Sequence, residues 1–234
     1  MGTSYNPPIV TDGLVLCLDA ANKRSYPGTG TTWTDRSTSG NNGTLTNGPT
    51  FSSDNSGSIV FDGSNDYIGL GDVLNLNKIT ISIWFKLNSL SGRQFLVGKW
   101  ENGKRSYQIS FNQSGFPAGT ISSAISTDGQ LSAVVESNVN GVINSTSKYY
   151  HICMTANGNY LNTYVDGKQE NSVSAGSPYS AGNAHLAIGT ILFSDNTTPT
   201  DPANANIASA SIYNRALTED EVRQNYEATV GRYT

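Results

Sequence analysis

Apolar residues recur at every second position in several short stretches of this sequence. Residues 79–86 alternate Ile, Ile, Ile and Phe with Thr, Ser, Trp and Lys. The spacing returns in residues 150–155 and 207–213, where it predicts that Ile207 and Tyr213 share one face. Because successive side chains of a strand point to opposite faces, each stretch predicts a strand with one face against a core.

Turn-forming pairs separate the predicted strands. Asn-Gly at 157–158 and Asp-Gly at 62–63, 128–129 and 166–167 tolerate the positive φ that tight hairpins require. Roughly a dozen short strands joined by such turns are typical of sandwiches and jelly rolls. The sequence therefore predicts an all-β fold, a two-sheet antiparallel jelly-roll sandwich of the concanavalin A type, with one short C-terminal helix.

The predicted helix covers about residues 219–228. Thr218 and Glu221 are spaced as a capping box, in which each side chain binds the other residue's backbone N–H. Leu217 and Val222 flank this box at the positions of a hydrophobic staple, so the helix is expected to dock on a sheet.

The composition excludes several classes of protein. Charged residues make up 14% of the 234 residues, the net charge is −4 and the pI is about 5.1. Helical bundles need more Ala, Glu, Lys and Leu, and an acidic chain repels nucleic-acid phosphate. No stretch reaches the ~18 apolar residues of a membrane span, and residues 1–10 lack the features of a signal peptide. We expect neither a nucleic-acid nor a membrane partner.

The chain divides into an extended arm, residues 1–12, and a single domain, residues 13–234. Two consecutive prolines are expected to keep the arm extended and so to reduce the entropy that it would lose on docking against a neighbouring subunit. The candidate partner-contacting residues of the arm are Tyr5, Pro7, Pro8 and Ile9.

The two cysteines, Cys17 and Cys153, cannot form a disulfide framework. They can form one bridge at most. Two buried free thiols are the favoured interpretation, because free cysteine is among the most buried residue types.

Calcium is the best cofactor candidate, although the chain is expected to require none. Asp62, Asn65 and Asp66 lie in one short turn, with Asp72 close behind, and carboxylate and amide oxygens suit this cation. The alternative, which we favour, is a hairpin turn in which Asp and Asn bind their own backbone.

A glycan site would need aromatic rings presented outward. The candidates are Trp100, Tyr107, Tyr179 and Tyr213, whereas Trp33, Trp84 and Phe85 are expected in the core or between strands. The alternative is a polar β surface without a ligand.

Catalysis is not expected. Glycosidases use two carboxylates about 5–10 Å apart, and no predicted strand carries such a pair. The two histidines, His151 and His185, fall in predicted strands rather than in a nucleophile turn. We therefore predict that the chain is not an enzyme.

Six blocks of the sequence, in order, resemble laminin-G-like, concanavalin A-like jelly-roll domains. The first block comprises GLVLCLD, DRS and GNNGT, and the other five are FDGSNDYI, ITISIWF, YHICMT, YVDGK and IYNRALTEDEV. The related pentraxins imply a strand cysteine near Ser82 as the partner of Cys153, so their disulfide is expected to be absent here. They also imply calcium ligands near residues 101–102 and 189–196, where acidic residues are few.

The resemblance extends to domains of tailed-phage structural proteins, which are made in the host cytoplasm and used outside the cell. It implies a non-catalytic virion surface protein, a capsid decoration or cement protein bound to other capsid subunits, with homo-oligomers as a further option. The alternatives are a glycan-binding receptor module on a tail tip or in the extracellular medium, and, least favoured, a polysaccharide-active enzyme.

Overall fold

Two antiparallel sheets of eight strands each stack face to face in the computed structural model, which describes residues 8–180 and 182–233. The early strands are β1 (Leu14–Asp19), β2 (Thr32–Trp33), β3 (Gly43–Thr46), β4 (Thr50–Ser52), β5 (Ser58–Asp62), β6 (Tyr67–Gly71), β7 (Ile79–Leu87), β8 (Gln94–Lys99) and β9 (Tyr107–Phe111). The later strands are β10 (Ile121–Ser126), β11 (Val134–Val139), β12 (Tyr150–Ala156), β13 (Tyr160–Val165), β14 (Lys168–Ser174), β15 (Leu186–Ile188), β16 (Ile191–Leu192), β17 (Pro199–Thr200) and β18 (Asn204–Tyr213).

The strand order is that of a jelly roll, which confirms the predicted fold class. The first sheet runs β14-β13-β12-β7-β18-β5-β4, and β1 also pairs with β18. The second sheet runs β11-β10-β9-β8-β15-β6-β3-β2, and β16 pairs with β17 in a separate small hairpin. Thr163 in the first sheet donates to the carbonyl oxygen of Ser137 in the second at 3.1 Å, which ties the two sheets together along one edge.

The core lies between the sheets, as the alternation predicts. Ile83 and Phe85 of β7 pack in one cluster with Ile109 and Phe111 of β9, and all four are fully buried. Removing this apolar surface from water is the main favourable term in folding.

One strand departs from its predicted register. The pairing of β18 shifts between Ile207 and Ser209, so Ala208 is an extra residue and the strand changes face. Ile207 packs in the core with Ile212, and Tyr213 points to the opposite face. The prediction that Ile207 and Tyr213 share a face is wrong, because a simple alternation cannot include a bulge.

The helix α1 (Glu219–Thr229) lies on the outer face of the first sheet. Its capping box is formed, which confirms the prediction, and Leu217 and Val222 are buried in one cluster beside it. The Trp84 ring stacks on Tyr226 at 5.7 Å between ring centroids, and its indole N–H donates to the Thr229 hydroxyl at 2.9 Å. These contacts cover the polar side of the sheet.

The thiols are free, as predicted. Cys153 is buried and pairs across the sheet with Ser82, which confirms that the cysteine of the pentraxin bridge is replaced here. Cys17 is only partly buried, and the expectation that both thiols are buried holds for Cys153 alone.

One of the two histidine predictions is corrected. His185 precedes β15 instead of lying in a strand. His151 is in β12, as predicted.

The described end of the arm contacts its own domain. The carbonyl oxygen of Pro8 accepts from the Gln224 side chain at 2.7 Å, and the Val10 N–H donates to Asn225 Oδ1 at 2.8 Å. Ile9 lies between these two contacts, whereas Tyr5 and Pro7 fall outside the described residues. The arm's role at a partner subunit stays a prediction.

Among the described residues, no helix has the length and apolar character needed to cross a membrane.

The Arg215–Glu221 ion pair gives the helix a pH-dependent anchor. Hydrogen bonds from Arg215, and from the Thr218 backbone N–H, lower the pKa of Glu221 from 4.5 to about 2. Because the folded pKa is depressed, this stabilisation is present above pH 4.5 and is lost as the pH falls toward about 2. We expect Glu221→Gln to lower the free energy of unfolding by about 1 kcal/mol at pH 7, measured by urea titration.

The loss should shrink at pH 3, because that pH lies below the unfolded pKa of 4.5 and the wild type has already lost part of this stabilisation. Glu227→Gln is the control, because Glu227 is exposed and makes only a 3.9 Å ion pair with Arg223. An equal loss from Glu221→Gln at both pH values would refute the anchor.

Candidate functional site

A groove crosses the outer face of the second sheet, and we call it the outer groove. Strands β8 to β11 form its floor, and the β16–β17 hairpin forms one wall. Its volume is about 290 Å³, near the lower end of the roughly 300–1,000 Å³ range of small-molecule sites. The lining residues are Arg93, Phe95, Trp100, Arg105, Gln108, Gln113, Leu131, Val134, Glu136, Ile191, Phe193 and Thr200.

The register of the paired strands explains which side chains form the floor of the outer groove. Gly98, Gln108, Ala124 and Glu136 pair in one row across β8, β9, β10 and β11, so the four positions share the outer face. A Cβ at Gly98 would lie 2.5 Å from the Ile191 side chain. Only glycine therefore allows the hairpin to lie directly on the floor.

Apolar side chains form one part of the outer groove. Phe95, Trp100 and Ile191 are buried in a small cluster of their own, and Phe193 packs against it. The guanidinium carbon of Arg105 lies 5.2 Å from the centre of the Phe193 ring, within cation–π range. At the rim, Leu131 is 69% exposed, which leaves apolar surface available to a ligand.

Several buried polar atoms without a described partner lie on the same face, although others lie elsewhere in the molecule. Gln108 is 1% exposed, yet its Oε1 accepts no hydrogen bond from any described residue, and the same holds for Gln113 Oε1. The hydroxyls of Ser110 and Ser122, which pair across β9 and β10, are also without partners. Asn138, the next residue in that row, has an unpaired Oδ1. Buried polar groups are normally hydrogen-bonded, so these atoms require partners from outside the described chain.

The outer groove carries both signs of charge. Arg93 Nε donates to Asp201 at 2.6 Å, so this guanidinium is paired with a carboxylate. Burial lowers the pKa of the Arg105 guanidinium, which donates to the Asn102 side chain at 3.1 Å. Glu136 contributes a partly buried carboxylate.

Only one of the four predicted aromatic candidates, Trp100, lines the outer groove. The prediction of an outward ring is wrong for Tyr107, which is 0% exposed because its strand face turns into the core. It is also wrong for Tyr213, which is 1% exposed beneath α1 and donates its hydroxyl to the Val10 carbonyl oxygen. Tyr179 is half-buried beside Gly129, outside the lining residues.

The predicted calcium residues do not form one cluster. Asp62 Oδ1 accepts from the Ser64 N–H at 2.8 Å, and Asp66 Oδ2 accepts from the Asp62 N–H at 3.2 Å. Asn65 is exposed in the same turn, and its carbonyl oxygen accepts from Asn47. Asp72 is paired instead with the Lys99 ammonium at 2.8 Å, which lowers the pKa of its carboxyl.

The loop positions implied by the pentraxin resemblance are engaged as well. Glu101 is paired with Lys104 at 3.2 Å. Asp195 accepts from the Thr198 hydroxyl and from the Thr197 and Thr198 N–H groups, and these bonds lower its pKa. Within residues 8–180 and 182–233, no three His, Cys, Asp or Glu side chains are grouped to hold a metal ion.

A buried Ser–His pair lies on the other sheet. Ser82 Oγ is 2.8 Å from His151 Nε2, a distance suited to a nucleophile and its base. Burial lowers the pKa of His151 to about 3, and the ring is enclosed between the first sheet and α1. Because His151 is 1% exposed, we interpret the pair as a local packing contact.

Sequence reasoning missed most of the outer groove. Gln108 and Ser110 alternate with core residues in β9, and Ser122 continues the pattern in β10, so small polar outward positions on neighbouring strands were an available signal. Phe193 and Arg105 lie outside the regular strands, where alternation gives no information.

Calcium binding stays a prediction, and thermal unfolding tests it. Because the Asp62, Asp66 and Asp72 oxygens already accept protein hydrogen bonds, we expect calcium at about 5 mM, above the range of weak sites, to leave Tm unchanged. Chelator alone should have no effect either. A calcium-dependent rise in Tm that Asp66→Asn removes would establish the site.

The family described as the concanavalin A-like lectin/glucanases superfamily, Laminin_G_3, matches residues 62–223 of the sequence. That match covers more than half of the chain. A comparison of the sequence with curated proteins gives no match.

Several solved structures share the fold. Domain 4 of AbnA, a GH43 extracellular arabinanase from Geobacillus stearothermophilus, solved in complex with arabinotriose, superposes with a TM-score of 0.70 and 17% identity over 93% of this chain and 100% of that one. The botulinum neurotoxin serotype D binding domain superposes with a TM-score of 0.67 and 14% identity, over 94% of this chain and 53% of that one. A Trypanosoma rangeli sialidase in complex with sialic acid superposes with a TM-score of 0.64 and 18% identity, over 96% of this chain and 36% of that one.

The chain thus spans the whole of the arabinanase domain, but about half of the toxin domain and about a third of the sialidase. At these identities the likeness concerns the fold. The family match, the two-sheet jelly roll and the motif order together place this chain in the concanavalin A-like lectin/glucanase superfamily, as a laminin-G-type member.

Proposed function

We propose that this chain is a non-catalytic carbohydrate-binding module and that sugars bind in the outer groove. The observation that carries the proposal is that unpartnered polar atoms of Arg105, Gln108 and Gln113 line the groove beside aromatic side chains. Sugars present hydroxyl groups at the ring edges and C–H groups on the ring faces. A hydroxyl can donate to Gln108 Oε1 while the ring face packs on the partly exposed Phe193.

The free groove and the bound groove differ in their hydrogen bonding. An unmet buried acceptor costs about 1–3 kcal/mol. A ligand that supplies the missing donors removes that cost, whereas an apolar ligand does not. The arrangement therefore favours a polyhydroxylated ligand over a purely hydrophobic one. Relatives support the same class, since one was solved with arabinotriose and another with sialic acid.

The carboxylates of the outer groove argue for binding without hydrolysis. Of the described residues that line it, Glu136 alone carries a carboxylate, whereas glycosidases commonly use two at about 5–10 Å. Asp201, which contacts the lining residue Arg93, is engaged in that ion pair. We propose that Glu136 acts as a hydrogen-bond acceptor for sugar hydroxyls.

The capsid-decoration role is a separate proposal from the sequence, and it is compatible with the groove. The described arm residues lie at α1 on the first sheet, while the outer groove is on the second sheet. Attachment to a capsid neighbour through the arm would therefore leave the groove accessible to a cell-surface glycan. The alternative to the capsid role is an extracellular lectin-like module, and in that case the same groove would bind the glycan.

Substitution of Gln108 tests the groove through two measurements, glycan affinity and the stability of the free protein, of which only the affinity is expected to fall. We expect Gln108→Leu to lower glycan affinity about tenfold or more, because a sugar hydroxyl loses its acceptor. The free protein should not lose stability, because the deleted Oε1 has no described partner. A glycan array identifies the ligand, calorimetry measures its affinity, and urea unfolding measures stability.

The matched control is Gln94→Leu, at a buried glutamine whose amide is fully used. Gln94 donates to the Ser89 and Ser91 carbonyl oxygens and accepts from the Asn204 N–H. This variant should lose about 1–3 kcal/mol of stability and keep its glycan affinity. A blank array, or unchanged affinity in Gln108→Leu, would overturn the proposed site, and release of reducing sugar from the bound glycan would overturn the non-catalytic role.

A further inference from the structure

Arg105 is a buried cation without a carboxylate partner in the outer groove. It is 5% exposed, and among the described residues no Asp or Glu oxygen lies within 4 Å of its guanidinium. Its Nη2 donates to the neutral Asn102 side chain at 3.1 Å, while its Nε, also buried, has no described partner. Most of its donors are therefore uncommitted.

The neighbouring charges are paired. Arg93 is bound to Asp201, and Lys104 is bound to Glu101. A buried charge is unfavourable unless a counter-charge compensates it. Of the described basic residues that line the outer groove, Arg105 alone lacks such compensation.

The position of Arg105 is fixed before any ligand binds. Its backbone N–H donates to the Gly129 carbonyl oxygen at 3.1 Å, and its guanidinium lies over the Phe193 ring at 5.2 Å. A planar guanidinium held in this way can donate two parallel hydrogen bonds to a carboxylate. The adjacent aromatic ring can contact the face of the sugar that bears that carboxylate.

We propose that the outer groove selects acidic glycans, with the sugar carboxylate bound by the Arg105 guanidinium. This inference rests on the proposed carbohydrate-binding function and adds the class of sugar. Gln108 and Glu136 lie in one row across the floor and accept hydroxyl donors there. Glu136 repels a carboxylate placed near it, which orients the acidic group toward Arg105.

The test compares each acidic glycan with its carboxyl-reduced counterpart, which keeps the ring and loses only the charge. The probes are an oligogalacturonide, which carries uronic acids, and sialyllactose, which carries a sialic acid. Calorimetry measures the affinity of the full chain for each of them. We expect at least one acidic probe to bind about tenfold or more tightly than its reduced form, since charge-assisted bidentate bonds are the stronger kind. The preference should weaken between about 50 and about 500 mM salt.

Arg105→Gln should abolish the preference while retaining binding to the reduced glycan. Arg24→Gln, at an exposed arginine outside the lining residues, removes the same charge and should keep the preference. If Arg105→Gln does not fold, Arg105→Lys replaces it in the test. Lysine keeps the charge but loses the bidentate geometry, so the preference for the acidic glycan should fall without disappearing.

The outcomes separate the two proposals. Equal binding of the acidic and reduced forms, with both lost in Gln108→Leu, overturns the acidic selectivity and leaves the carbohydrate site standing. A preference that survives in Arg105→Gln overturns the role of Arg105. No binding of these probes, together with a blank glycan array, overturns the carbohydrate function itself and this inference with it.

Discussion

Buried polar atoms are normally hydrogen-bonded, and the outer faces of the two sheets differ in what covers their polar side chains. The outer face of the first sheet is covered by α1, where Trp84, Tyr213 and Thr80 donate to helix, arm and loop acceptors. Unpaired buried atoms remain on both outer faces: Tyr149 Oη, His151 Nδ1 and Tyr233 Oη lie beside α1, whereas Gln108 Oε1 lies at the outer groove of the second sheet. The same β architecture therefore gives one face closed by a helix and one face whose unpaired atoms border a groove that a ligand can enter.

The scaffold holds the outer groove in a fixed geometry. Strands β8 to β11 set the spacing of the floor, and Gly98 allows Ile191 of the hairpin to pack directly on it. Phe193 extends this wall and fixes the Arg105 guanidinium. Because these groups are in place before binding, a ligand would not need to order them, which favours affinity.

The alternation of apolar residues predicted the fold class and the β7 strand, and the capping-box spacing predicted the helix, because all three depend on local spacing. The alternation failed at β18, where the bulge at Ala208 reverses the faces. The choice of Tyr107 as an outward ring also failed, since an aromatic residue in a strand carries no sign of which sheet face it joins. The outer groove cannot be predicted from any single strand, because strand pairing and a hairpin distant in sequence bring Gln108 and Phe193 together.

The most direct test of this account is a crystal structure of the chain with the best-binding oligosaccharide from an array. The account predicts a sugar in the outer groove, with one of its hydroxyls about 2.7–3.2 Å from Gln108 Oε1 and its ring against Phe193. A sugar bound instead at the loops around Asp62, with only water against Gln108, would contradict it.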